Sequence, residues 1–284
     1  MKPVRCRRLY AFVTRFTWLP AYRKRKNRVR KIINLGQLIF GTTVAALGLE
    51  NLICTHFRLT NPGVPWFPAN PFWGYLNGIV LIAAGLSIAA ALRSRMAATL
   101  LGYLFSLYVL FLQMPLVIAH PADWSVYGVL CEALALGGSA WTLVRTLPKI
   151  SLREGVLSKV TVSGPYLFAA SLIVFGGIHF FEARFIASLI PAWIPGALFF
   201  TYLIGAAFIA AAISIVFQRL DQWAGFLLGV MFLLFVVLLH SRRVAADPHN
   251  PDEWSSALIA LGMCGGSWIV ARNAHRRQQP DASS

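Results

Sequence analysis

Apolar residues fall in long unbroken runs near 32–53, 72–92, 96–119, 125–144, 165–187, 197–217, 223–241 and 255–271. Each run approaches or exceeds the ~20 residues that carry a helix across a bilayer. A water-soluble bundle has no means of covering eight helices that are apolar all round. The pattern therefore predicts an all-α polytopic membrane protein with eight transmembrane helices.

The runs are not independent. Residues 66–145 align with 193–272 at a constant offset of 127, and about a third of the aligned positions are identical. Trp66 falls on Trp193, Pro68 on Pro195, Tyr75 on Tyr202, Gly78 on Gly205 and Trp141 on Trp268. Composition would supply scattered Ala and Leu matches but not this series in one register. The chain reads as a duplicated four-span unit. Four spans return the chain to its starting side, so the expected architecture is two tandem four-helix bundles in parallel orientation. The expected divisions are a basic cytoplasmic tail at 1–31, a first unit at 32–145, a linker at 146–163, a second unit at 164–272 and a tail at 273–284. Proline-rich, aromatic segments at 61–68 and 190–196 read as caps dipping into one interface, where Trp favours headgroup level.

Charge then sets orientation. Of 26 Lys and Arg residues, 22 lie in the two tails, the linker and the turns on the same side, leaving Arg58, Arg184, Arg242 and Arg243 opposite. This is a positive-inside distribution, with both termini cytoplasmic. The net charge of +16 is thus a topology signal that points to the lipid bilayer as partner and away from nucleic acid. The tail at 2–31 mixes basic residues with Leu9, Phe12, Phe16 and Trp18, as a partly disordered anchor on anionic headgroups would. Four scattered cysteines include no C-x-x-C; a Cys54–Cys131 bridge is conceivable, buried single thiols the ordinary reading.

Ionisable groups inside spans are few, and such groups face a bundle interior or a wet cavity. Glu50, Glu132, His179, Glu182 and His240, with Gln113, Asn51 and Asn77, are all expected in the outer half. Their clustering predicts an outward-facing polar cavity in place of a polar path across the membrane. With a two-residue indel, Glu50 aligns with His179; Gln113 aligns with His240 and Glu132 with Ile259. Hydrogen bonding to neighbouring spans is the plainer alternative for each residue. His179 and Glu182, spaced i, i+3, share a helix face and are expected to pair, as proton transfer or quinone binding requires. No metal-binding spacing occurs.

The Gly-Gly-Ile-His-Phe-Phe run at 176–181, the proline-rich loop leading to Phe-Phe-x-Tyr-x-x-Gly at 199–205, and the small-residue span at 206–216 resemble the DoxX-like family of bacterial and archaeal membrane proteins. The resemblance covers about 32–145 and 165–272. It implies a four-helix membrane bundle in the bacterial inner membrane. Some relatives are subunits of thiosulfate:quinone oxidoreductase or other membrane redox complexes, but no catalytic residues carry over. No nucleophile–base pair or nucleotide loop marks an autonomous enzyme. The expected function is a non-autonomous subunit of a quinone-linked membrane complex. The alternatives are an assembly factor or structural membrane protein, and a small-molecule or lipid transporter. Matched broken spans at the midplane, which would favour transport, are not legible.

Overall fold

The apolar runs form helices throughout a computed structural model, which describes residues 19–54, 70–148 and 155–278, with side chains described from Leu35 and, after the central gap, from Lys159. The helices are α1 (Leu19–Cys54), α2 (Pro71–Ala89), α3 (Ser94–Ala119), α4 (Trp124–Thr146), α5 (Gly155–Val162), α6 (Gly164–Phe181), α7 (Ala183–Leu189), α8 (Ala197–Val216), α9 (Asp221–Ala246) and α10 (Pro251–Gln278). No strand occurs among the described residues. Eight helices are long and apolar enough to cross a membrane, α5 and α6 sharing one span. Large apolar side chains such as Ile79, Phe111, Leu203 and Leu227 are exposed on the exterior.

We call the end where α1 begins and α10 finishes the tail end, and the opposite one the loop end. Helix starts at the loop end follow local chemistry. Asn70, Asp123 and Asn250 accept the Phe72, Ser125 and Asp252 amides at 2.9, 2.9 and 3.0 Å. Proline follows immediately at 71 and 251, where a missing N–H costs nothing. At the tail end, α2–α3 and α8–α9 are joined by four-residue turns holding non-glycine residues at positive φ: Ala91 (56°) and Arg93 (49°), then Gln218 (56°) and Leu220 (58°).

Neighbours in sequence pack together, but each half also leans on the other. α1 packs on α10, α4 packs on α6, and α4 meets α10. The helices therefore enclose two five-membered rings, α1–α2–α3–α4–α10 and α4–α6–α8–α9–α10, with α4 and α10 common to both. Burial agrees: 72% of the apolar window is buried in each of α4 and α10, against 22–44% in the other spans.

Glycine contacts recur in both halves. A Cβ at Gly36 would lie 2.8 Å from the Gly265 carbonyl, and one at Gly164 would lie 2.9 Å from the Thr142–Gly138 wall at Gly138 O. Likewise Gly48 meets Gly78, and Gly176 meets Gly205. These contacts place the first span of each half at an offset of 128 where the sequence alignment used 129. Asn51, not Glu50, is then the counterpart of His179, and Glu50 is the counterpart of Ile178.

Two further differences from expectation concern the ends. The basic segment 19–31, expected in a partly disordered tail, has helical backbone continuous with α1. The fifth span closes at Phe181, and the chain turns at Glu182 into the separate α7. Residues 1–18, the first proline-rich cap at 61–68 and part of the linker lie outside the described residues. Cys54 and Cys131 are not bridged.

Candidate functional site

At two matched positions the first ring is polar where the second is apolar. Tyr108 on α3 donates to the Asn77 side chain on α2, both buried; their counterparts are Phe235 and Ile204. Between α1, α4 and α10 the ring opens into a cavity of about 170 Å³. Leu47, Leu81, Phe105 and Ile259 contribute apolar lining, and Glu50, Asn51, Glu132, Asp252, Ser255 and Ser256 polar lining. Glu50 and Asn51 are buried, Glu132 is half-buried and Asp252 is exposed.

The first turn of α10 builds much of this wall. Asp252, Ser255 and Ser256 are spaced i, i+3, i+4, one face of a helix. Ser255 donates to Glu50, tying α10 to α1 across the ring. Ser256 bonds the Asp252 carbonyl at 2.8 Å. The helix N-terminus carries positive partial charge, which favours carboxylates beside it. Among the described residues, the lining holds no Lys, Arg or His.

Of the six expected site residues, Glu50 and Glu132 are among those that line this cavity, and the other four are not. Gln113 is fully buried on α3. His179 directs Nδ1 to the Phe175 carbonyl at 2.7 Å and sets its ring edge-on to Phe208, 5.3 Å between centroids. Glu182 instead occupies the junction of α6 and α7. His240 sits near a loop-end ion pair, Arg243–Glu253 at 2.7 Å.

Asp252, Ser255 and Ser256 went unread because the eighth apolar run begins only at 255. The signal was present as Asp-Glu-x-Ser-Ser directly after Pro251, a polar first turn on an otherwise apolar span.

A second feature links Gln113 and His240. α3 and α9 each contain a π-helical turn, Val109–Gln113 and Val236–His240, at the 127-residue offset. Each turn ends on the polar residue and begins ~22 Å from the tail end of its helix, just past the midpoint. Proline does not explain them, since Pro115 follows the first and Arg242 occupies the matching place after the second. No group of three or more metal-binding side chains occurs among the described residues. No family model matches the chain, and no curated protein or solved structure is similar to it.

Proposed function

We propose that this chain is a DoxX-like integral membrane protein acting as a non-autonomous, quinol-linked subunit of a membrane redox complex. In this reading it lies in the bacterial inner membrane with both termini cytoplasmic, and the cavity faces outward. The observation that carries the reading is the cavity's donor set. Three carboxylates, the Asn51 amide and two serine hydroxyls line the cavity, and Glu50 already accepts from Ser255. Such a lining matches a ligand that brings its own O–H groups, which a quinol does and a quinone does not. A volume of about 170 Å³ lies below the 300–1,000 Å³ usual for drug-sized ligands. It suits one ring, with any isoprenoid tail left in lipid. When bound, the quinol would supply the redox chemistry; Glu50 and Glu132 would orient its hydroxyls and accept protons. The two-unit parallel architecture is supported by the recurring glycine contacts, turns and π turns.

Native mass spectrometry of the full chain, loaded with short-chain quinol or with the matching quinone, tests this reading. Retention of quinol over quinone, weakened in Glu50→Gln and Glu132→Gln, is the expected result. Equal retention of the two forms, or no loss in either variant, would overturn it. Recovery of a stoichiometric client protein without quinol would point to the assembly role.

The matched π turns favour a second reading, transport of a small cation or amine. Flux of such a solute into proteoliposomes, abolished by Glu132→Gln, would establish it in place of the first.

A further inference from the structure

The tail end has the opposite electrostatic character. Arginines close the C-terminal end of α4. Arg95 donates to the Val144 and Leu147 carbonyls at 2.7 and 3.2 Å, and Arg276 donates to Thr146 O. These bonds satisfy carbonyls that a helix C-terminus leaves open. Arg145 reaches Val162 O at 3.3 Å, and Arg277 pairs with Asp221. Asp221 is the one carboxylate at this end among the described residues, it is buried, and its other oxygen takes the Gln222 amide at 3.1 Å.

The arginines are also crowded. Arg145 feels the charge of Arg277, and Arg272 that of Arg276. Holding like charges together in a half-buried place is unfavourable, and the one carboxylate described there, Asp221, offsets only one of them. One donor marks where an anion would join: Arg277 Nε is enclosed and finds no acceptor among the described residues. A buried donor without a partner is itself costly. Beside the pair, Gln218 donates to the Tyr166 hydroxyl at 2.8 Å, adding neutral polar groups at the same level.

We propose that the arginine cluster where α4 and α10 end binds the phosphate of an anionic phospholipid, with Arg145 and Arg277 as its paired cations. Guanidinium groups match phosphate oxygens in geometry as well as charge. A lipid, rather than a soluble anion, is favoured by the surroundings. The exposed apolar side chains of Val162, Phe217 and Leu220 lie on the adjoining turns and helix end, where acyl chains run alongside. Basic pockets between spans at headgroup level are the setting in which such lipids are held.

The test uses the full chain in mixed vesicles of phosphatidylglycerol and phosphatidylcholine, extracted and analysed by native mass spectrometry. One phosphatidylglycerol per chain should be retained in about tenfold or greater preference over phosphatidylcholine. Arg145→Gln/Arg277→Gln should lose that preference, while Arg93→Gln, at an exposed turn, should keep it. Equal retention of both lipids by the unaltered chain would overturn the proposal without reference to any variant. An unchanged preference in the double variant would overturn the assignment to this pair. Displacement of the lipid by excess inorganic phosphate would show a free-anion site and overturn the lipid assignment.

Discussion

The Trp141 indole stands where a side chain at Gly102 would have to be: a Cβ there would come within 2.6 Å of the ring. Trp141 is 1% exposed, and its Nε1–H donates to Ser106 Oγ at 3.2 Å, so neither face nor edge is free to retreat. Gly102→Ala is therefore expected to lower stability by about 1–3 kcal/mol, the usual range for overpacking a closed core. Thermal unfolding in detergent measures this, and a melting temperature equal to the parent's would show that α3 can slide away from α4.

The Ser255–Glu50 contact makes a separate prediction. Ser255→Ala removes a hydroxyl donor from a buried carboxylate and should cost about 1–3 kcal/mol. A double-mutant cycle with Glu50→Gln should give a coupling near 1 kcal/mol, because the residues touch. Simple additivity would mean that the bond contributes nothing to holding α1 on α10.

Leu220 has φ of 58° and a side chain 72% exposed. Leu220→Gly relieves a left-handed conformation unfavourable to a branched side chain and removes little packing. Stability should rise by about 1 kcal/mol. A fall on chemical or thermal denaturation would show that the leucine contributes more by its contacts than it loses by its backbone.

Asp123 caps α4. Hydrogen bonds from the Ser125 hydroxyl, then from its amide, hold the carboxyl below its ordinary value, with a smaller contribution from His120. A carboxyl whose folded pKa is depressed stabilises fully above its unfolded pKa, about 3.9, and that contribution disappears as pH falls through the folded value. Hydrogen-exchange protection in the first turn of α4 should hold down to about pH 4 and decline below it. Protection that stays level to lower pH, or Asp123→Asn behaving like the parent throughout, would contradict this.

The π turn in α3 should survive Pro115→Ala, since its counterpart in α9 forms without proline. Losing the turn would rotate the helix by ~100° per residue removed and reorient everything beyond it. Cryo-electron microscopy of the variant at side-chain resolution distinguishes the outcomes, and a continuous α-helix would return the cause to Pro115.

Hydropathy made the eight spans legible because an apolar helix must declare itself along its whole length. The tail-end turns were readable for a related reason: Ala91–Arg95 and Gln218–Gln222 break two apolar runs at matching positions. Partner choice among spans was not readable. Nothing in an apolar run states which neighbour it meets, so the packing of α1 on α10 and α4 on α6 appears only in three dimensions. The site divides the same way. Glu50 and Glu132 stood out as carboxylates at the wrong depth, whereas Asp252 and Ser255 sit at a span boundary where polarity is ordinary. His179 and Glu182 had the right spacing, but the helix they were to share breaks at Glu182, and a spacing rule holds only within one helix.

Sharing α4 and α10 between the rings also bears on how the protein is made. Glu50 and Ser255 are 205 residues apart, which at 5–20 residues per second is roughly 10–40 s of translation. For much of that interval the first three spans are in place and the helix that completes their wall has not been synthesised. Until that helix is made, the Glu50 carboxylate lacks the Ser255 hydroxyl that ties α1 to α10. The last span to be made is thus the one that closes the first compartment.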